Sequence, residues 1–573
     1  MRTDFAVRLR IIFFGVLICI IGIVFRLYSV QILNGEGYLK DAESQYYKTA
    51  SEVFDRGSIF FTDKSGELIS AGTEKVGYTL AVNPDAISNA ESVFERLLVF
   101  IPDLPKEEFI RKASKVDDPY EEILDRLDIE TAEKIAIEGI PGVLLYRKHW
   151  RFYPGDRMAS HTLGFVSYDN ENNMRGQYGV ERYYNEVLER NTESRYVNFF
   201  AELFSGIDSL LSKDDKNRKG NVVLTIEPTI QLLLEKKLEE VHKKYKSELT
   251  AGIIIDPRTG AMRALAATPD FNPNTFNVSG SEQFYSNPNI QDVYEMGSII
   301  KALTVAIGLD TNAITSETTF YDGGSVTLNN AKISNYDGRG RGVVDMQEVL
   351  NQSLNTGSVF VYQEVGNEKY REYMLELGLG EETGVDLPFE IRGLVDNLDT
   401  GRDIELATAS FGQGIALTPI GTVRALSALA SGGTLPVPHV LSEIRYPGGT
   451  VKENVPFEGR RIFSEETSDE ITRMLVEVVD SALRDGYYKH DRYSIAAKTG
   501  TAQIVDPVTK KYSTEDFLHS FFGYFPAYDP EFLVFLFTVK PQNVSYASET
   551  LTEPFMDITD FLINYYDIAP DRQ

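Results

Sequence analysis

Cysteine is almost missing from this chain: there is one, Cys19, in 573 residues. That excludes an internal disulfide framework and any Cys-based zinc site. Histidine is scarce too, with six residues: His149, His161, His242, His439, His490 and His519. None stands in an H-E-x-x-H or other close ligand pair, so a metal enzyme of that type is not expected. Neither G-x-x-x-x-G-K-[ST] nor G-x-G-x-x-G occurs, so no nucleotide cofactor is implied. Positive charge is in deficit: 57 Lys and Arg face 85 Asp and Glu, a formal charge of −28. Phosphate contacts need a basic face, so nucleic acid is not an expected partner. The acidic residues are spread along the chain without forming a tail, as on a solvated surface. No repeat of 20–50 residues is visible. What remains is globular in composition, 42% apolar and 25% charged. At roughly 150 residues per domain the length suits three to four domains, or two large ones.

One long apolar run exists. Residues 11–25 read IIFFGVLICIIGIVF, Arg26 interrupts, and the run continues to Leu33. Arg26 can snorkel to the interface and Tyr28 suits an interfacial position. The alternative is a cleaved signal peptide, but no A-x-A-like site follows the core. Residues 11–33 are therefore expected to be a transmembrane signal-anchor. Arg2, Arg8 and Arg10 precede it, which keeps residues 1–10 in the cytoplasm and exports the rest. The exported part then holds no cysteine, in keeping with an oxidising compartment.

From 34 to 220 the pattern is mixed. Short β-like runs at 77–82 and 142–146 flank a helix-like charged stretch at 88–139. A polar linker, S-K-D-D-K-N-R-K-G, closes this domain at 212–220. The second domain is expected over 221–565, with a tail at 566–573. It opens with a β-type run at 221–226, then a helix over 229–245 with Pro228 in its first turn. Strands are expected at 251–256 and 261–267, and again at 517–525 and 532–539. Helical patterns fill the middle, so the sheet is built from distant segments in an α+β fold.

Three motifs carry chemistry. In Gly297-Ser298-Ile-Ile-Lys301, a helix starting near Ser298 puts the Lys301 amine beside the Ser298 hydroxyl at i and i+3. The free N–H groups of a helix start favour a developing oxyanion. Lysine can be the base for a serine nucleophile once its pKa falls, by burial and a second nearby cation. Keeping it neutral at pH 7 costs on the order of 4–5 kcal/mol. The plain alternative is an N-cap serine with a solvated lysine. Ser353-Leu354-Asn355, in a polar break between helical patterns, could relay a proton and hold a substrate amide; alone it reads equally as a loop or cap. In Lys498-Thr499-Gly500-Thr501, small residues on a strand admit a ligand backbone, which could pair as an added strand. Lys498 and Thr499 would then face an anionic end of the substrate. A second K-S-G, Lys64-Ser65-Gly66, reads as an exposed turn.

The order S-x-x-K, S-x-N about 55 residues on, and K-T-G about 145 further on resembles the motif set of penicillin-binding proteins and β-lactamases. Further blocks resemble the class B, monofunctional members. They are Arg56-Gly57-Ser-Ile59, Arg151-Phe-Tyr-Pro154 with His161-Thr-Leu-Gly-Phe-Val166, Gly176-Gln-Tyr-Gly179-Val-Glu181, and Phe411-Gly412-Gln413-Gly414 with Leu417-Thr418-Pro419. The resemblance implies a pedestal (dimerisation-type) domain followed by a serine β-lactamase/transpeptidase-like domain. It implies D,D-transpeptidation of peptidoglycan stem peptides ending in D-Ala-D-Ala, with β-lactams as inhibitors. It also implies roles: Ser298 as nucleophile and Lys301 as proton acceptor. Backbone N–H groups of Ser298 and Thr501 would form the oxyanion hole. Ser353 would pass the proton to the leaving amine, and Asn355 would hold the acyl-side amide. Lys498 and Thr499 would bind the terminal carboxylate, with Lys498 also depressing Lys301, and Gly500 and Thr501 would join Thr499 in binding substrate. The family often reads E-P-G-S-T-x-K-P; here Met296, Ile299 and Ala302 depart from it, which leaves pocket shape and β-lactam affinity open. The F-G-Q-G-I-A-L-T-P wording is closer to division-type than elongation-type enzymes. A multi-pass SEDS-type glycan polymerase would be the membrane partner. Two other readings stay open: a D,D-carboxypeptidase or β-lactamase-like hydrolase, and a non-catalytic wall-assembly scaffold or sensor.

Overall fold

Seven apolar residues and the buried Thr538, Phe532–Val539, form a strand buried on both faces, as such a run requires. In the computed structural model, which describes residues 56–169, 174–189, 219–455, 459–506 and 509–572, this strand is the centre of a five-stranded antiparallel sheet. The order is Ala496–Val505, Tyr512–Phe525, Phe532–Val539, Leu249–Ile255, Met262–Thr268. Successive side chains of a strand face opposite ways. Accordingly Ile253, Phe522, Phe535 and Phe537 join one core, while Ile254, Phe521, Val534 and Leu536 join another. The second core is closed by helices Pro228–Tyr245 and Thr552–Tyr566 through Leu234, Leu238, Phe555 and Leu562. The first is closed by a helical block that includes Ile300–Asp310, Asn355–Val365, Pro419–Ala430 and Glu465–Glu477. The result is an α+β domain whose strands come from both ends of its sequence.

The described residues divide into two compact units, 74–150 and a larger one of 56–73, 151–189 and 219–572. The smaller unit packs helices Ala90–Leu98, Lys106–Ala113 and Ile129–Glu138 around Leu80, Phe94, Leu97, Phe109 and Ile135. The stretch 88–139 is thus not helical throughout. Strand Glu121–Leu127 lies inside it and pairs with Leu68–Val82, opposing Tyr78 to Leu127 and Leu80 to Leu124. Its letters, EEILDRL, carry weak strand preference, and pairing with a neighbour overrides it.

Within the larger unit three of the quoted blocks meet on one carboxylate. Glu181 is fully buried. It accepts from Arg56 Nε at 2.6 Å, Arg151 Nε at 2.5 Å and the Tyr153 hydroxyl at 3.1 Å. Burial alone would raise this carboxyl, but Arg151 and Arg56 together hold it below the usual range. The Lys64-Ser65-Gly66 triplet is the turn of a hairpin joining Ile59–Thr62 to Leu68–Val82. Asp63 Oδ1 accepts from Ser65 N, Ser65 Oγ and Glu67 N there, so the triplet has no part in a cleft. The expected linker at 212–218 and the anchor at 11–33 lie outside the described residues. Among the described residues no helix is long and apolar enough to cross a membrane.

Candidate active site

A tight 3-10 turn, Gly297–Ile299, carries Ser298 and runs into helix Ile300–Asp310. The α-helix thus begins just after the serine. Its sequence, IKALTVAIGLD, is apolar all round, and residues from Ile300 to Gly308 are buried. Lys301, in the first turn, is carried into the interior with no exposed surface. Met296, Ile299 and Ala302, the departures from the family wording, are fully buried as well. Those differences pack inward.

Ser353 supplies what the amine meets. It sits between helices Met346–Asn351 and Asn355–Val365 with a left-handed backbone, φ +55°, uncommon for a residue with a Cβ. In that conformation its carbonyl and its hydroxyl both face Lys301. The Lys301 Nζ donates to Ser353 O at 2.5 Å and contacts Ser353 Oγ at 3.2 Å. Lys498 reaches the same Oγ at 3.1 Å and also donates to Thr499 O at 3.1 Å. Two lysines, 197 residues apart in sequence, therefore share one serine hydroxyl. Among the described residues neither has a carboxylate as a hydrogen-bond partner. Burial first, and the charge of Lys498 second, push the Lys301 amine well below its ordinary value. Burial lowers Lys498 to about 7.

Strand Ala496–Val505 is an edge of the sheet, with Lys498, Thr499, Gly500 and Thr501 opposite Phe522, Phe521, Ser520 and His519. It lies directly against the nucleophile turn. Ser520 Oγ donates to Met296 O at 2.8 Å. A Cβ on Gly500 would stand 2.3 Å from Ser520 Oγ and 2.7 Å from Met296 O, so only glycine permits this approach. A Cβ on Gly297, at φ +65°, would stand 2.9 Å from the Thr501 carbonyl oxygen, and the Gly297 N–H donates to Gly412 O at 3.1 Å. The Thr501 hydroxyl accepts from Ala547 N at 3.1 Å. Asn355 Nδ2 donates to Ser334 O at 2.8 Å. Ser298, Lys301, Ser353, Lys498, Gly500 and Thr501 thus stand on contiguous elements, with Asn355 two residues from Ser353.

A family model described as "Penicillin binding protein transpeptidase domain" matches residues 250–559, more than half of the chain. One described as "Penicillin-binding Protein dimerisation domain" matches residues 52–203. The chain is a class B penicillin-binding protein. It is 29% identical to the stage V sporulation protein D of Bacillus subtilis, over 97% of this chain and 85% of that one. It is 26% identical to the "Probable peptidoglycan D,D-transpeptidase PenA" of Neisseria meningitidis, over 99% and 94%. Its fold is similar to the crystal structure of Penicillin Binding Protein 2X from Streptococcus thermophilus, with a TM-score of 0.70 at 18% identity, over 90% of this chain and 81% of that one.

The penicillin-binding protein has further contacts at the nucleophile that its motifs do not announce. Glu295, three residues before Ser298, accepts from Gly414 N and from the Tyr512 hydroxyl, each at 3.1 Å. It ties the turn to the Phe411–Gly414 loop and to the far end of strand Tyr512–Phe525. Burial raises its carboxyl above the ordinary value. Position three before the serine was a usable signal for Glu295; nothing local marks Tyr512. Among the described residues no group of three or more His, Cys, Asp or Glu side chains is placed to hold a metal ion.

Proposed function

We propose that this class B penicillin-binding protein cross-links peptidoglycan as a serine D,D-transpeptidase, with Ser298 as the acylated nucleophile. The Ser298 hydroxyl attacks the carbonyl carbon between two D-alanines and gives its proton to the neutral Lys301 amine. Backbone N–H groups of Ser298 and Thr501 hold the oxyanion, each worth about 3–4 kcal/mol. When the tetrahedral intermediate collapses, the proton passes through Ser353 Oγ to the departing D-alanine amine, and an ester on Ser298 remains. The amine of a second stem attacks that ester. Its proton returns by the same route, Ser298 regains its hydroxyl and the cross-link is made. Asn355 holds the acyl-side amide. Lys498 and Thr499 receive the terminal carboxylate, and Lys498 depresses Lys301.

The observation that carries this reading is the fully buried Lys301 amine, paired with no carboxylate among the described residues, meeting the Ser353 hydroxyl together with Lys498. A buried cation without a counter-charge gives up its proton, and a neutral amine is what the first step needs.

The setting is proposed on the sequence. Residues 11–33 anchor the chain in the cytoplasmic membrane with the N-terminus inside. Residues 34–220 form the pedestal and 221–565 the transpeptidase domain, both outside. The F-G-Q-G-I-A-L-T-P wording supports a septal site of action, beside a SEDS-type glycan polymerase.

The test is labelling of the full-length chain with a fluorescent penicillin. Wild type takes up one label and Ser298→Ala none. Equal labelling of both would end the assignment.

A further inference from the structure

Asn355 and Thr356 are held from outside their own helix. Helix Asn355–Val365 has Leu354 at its N-cap, which offers no side-chain hydrogen bond, so the exposed N–H groups of its first turn need another partner. Thr356 N finds one in Asn335, whose Oδ1 accepts it at 3.2 Å. Asn335 is 3% exposed and belongs to the segment after hairpin strand Ala331–Ser334. Its Nδ2 faces the buried Asp322 carboxylate at 3.0 Å to both oxygens, and Arg339 O at 3.1 Å. Asp322, 1% exposed, has no cation among its hydrogen-bond donors. It accepts instead from Gly324 N at 2.8 Å, Arg341 N at 2.9 Å and the Thr356 hydroxyl at 2.8 Å, besides Asn335. The Thr356 hydroxyl has one proton, and the shorter contact, to Asp322, takes it. Only one orientation of the Asn335 amide satisfies both sides, donor toward Asp322 and acceptor toward Thr356. The residue before Asn335 completes the arrangement: Ser334 O accepts from Asn355 Nδ2 at 2.8 Å. That fixes the plane of the Asn355 carboxamide and leaves its Oδ1 with no partner among the described residues.

We infer that Asn335, locked by Asp322, is a positioning residue for acylation: it caps the Asn355 helix from outside and sets the carboxamide of Asn355 against the cleft. The inference rests on the transpeptidase reading and adds a part to it that lies outside the three motifs.

The test uses the full-length chain and a fluorescent penicillin as the probe. Asn335→Ala lowers the second-order acylation rate constant about 10- to 100-fold, as when a catalytic group is misplaced by about 1 Å. Because Asn335 acts through Asn355, the same change made on an Asn355→Ala background costs less than about threefold further. Asn335→Asp keeps the acceptor for Thr356 but sets a second carboxylate against Asp322. Two adjoining carboxylates share a proton as the pH falls, which restores a donor between them. The Asn335→Asp rate, divided by wild type, therefore rises from pH 8 to pH 5. The other charges near this pair are Arg341 and Asp337, bound to each other at 2.8 and 3.0 Å. A folded Asn335→Ala chain that acylates within about threefold of wild type overturns the inference. So does a full cost on the Asn355→Ala background. If Asn335→Ala does not fold, a flat Asn335→Asp ratio across pH overturns it. Failure of the underlying reading looks different: there, Ser298→Ala still takes label.

Discussion

Replacing Lys498 by methionine should move the acid limb of the acylation profile to higher pH. The Lys498 and Lys301 nitrogens both reach Ser353 Oγ, at 3.1 and 3.2 Å, so they lie within about 6 Å of each other. Two unit charges at about 6 Å in an effective dielectric of about 20 repel by roughly 3 kcal/mol, which is about two pH units. Below pH 7 Lys498 is charged, since burial leaves it at about 7. Burial and the charge of Lys498 both push the Lys301 amine well below its ordinary value. Lys498→Met keeps the length and burial of the side chain and removes the charge together with the hydrogen bonds to Ser353 Oγ and Thr499 O. Lys301 then binds its proton more tightly, and acylation falls away at a pH up to about two units higher than in wild type. Loss of carboxylate binding lowers the rate at every pH, but it changes the height of the profile and not the position of the limb. Lys498→Arg keeps a charge and leaves the limb in place. The assay is the second-order rate of penicillin labelling of the full-length chain from pH 5 to 9. A limb that stays put in Lys498→Met, or that moves equally in both variants, refutes the electrostatic coupling.

Lys301→Ala loses about 10²–10⁴-fold in acylation while its melting temperature holds or rises, because a buried amine has been removed; a fold that melts much earlier would assign Lys301 a structural task instead. Glu181→Gln leaves Arg56 and Arg151 buried without a counter-charge and destabilises by about 3–5 kcal/mol, read as an earlier transition by calorimetry; an unchanged transition would show the buried pairing to be dispensable. His519 is pushed down to about 4 by burial, whereas an unfolded imidazole titrates near 6.5. The unfolded chain therefore binds more protons between those values, and stability present above pH 6.5 is lost toward pH 4, by about 3 kcal/mol. His519→Gln removes that loss, so denaturant melts at pH 7.5 and 4.5 differ less than in wild type; an equal difference in both chains would contradict the buried neutral imidazole.

Elements were legible where one physical signal dominated. Phe532–Val539 is apolar but for Thr538, and helix Pro228–Tyr245 has Pro in its first turn and an apolar stripe; both lie where the letters place them. Strand Glu121–Leu127 was not legible, because its charged letters acquire strand geometry only from the partner strand. Strand Tyr512–Phe525 begins five residues before its apolar part, for the same reason. In the site, the three motifs were legible as spacings of reactive residue types, and burial of Lys301 follows from the apolar helix around it. Contacts made across long stretches of chain were not. Glu295 meets Tyr512 across 217 residues, and Asn335 meets Thr356 across 21; each is set by how separate elements dock, and no local pattern encodes that.

The energetics of the two lysines argue for chemistry over architecture. Each amine is removed from water, and no carboxylate among the described residues compensates either. Keeping one such amine neutral at pH 7 costs on the order of 4–5 kcal/mol, a large fraction of the stability of an ordinary domain. Leucine or methionine would fill the same volume at no such cost. A lysine that served only packing would also gain from an acidic neighbour, and this chain is rich in acidic residues. The absence of a counter-charge around Ser353 is therefore the informative feature. An acidic partner would hold Lys301 protonated and end its use as a base. The fold brings two lysines to one serine hydroxyl and surrounds them with apolar groups and neutral acceptors. That arrangement is unfavourable for stability, and it pushes the amine of Lys301 well below its ordinary value on the helix that follows the Ser298 turn.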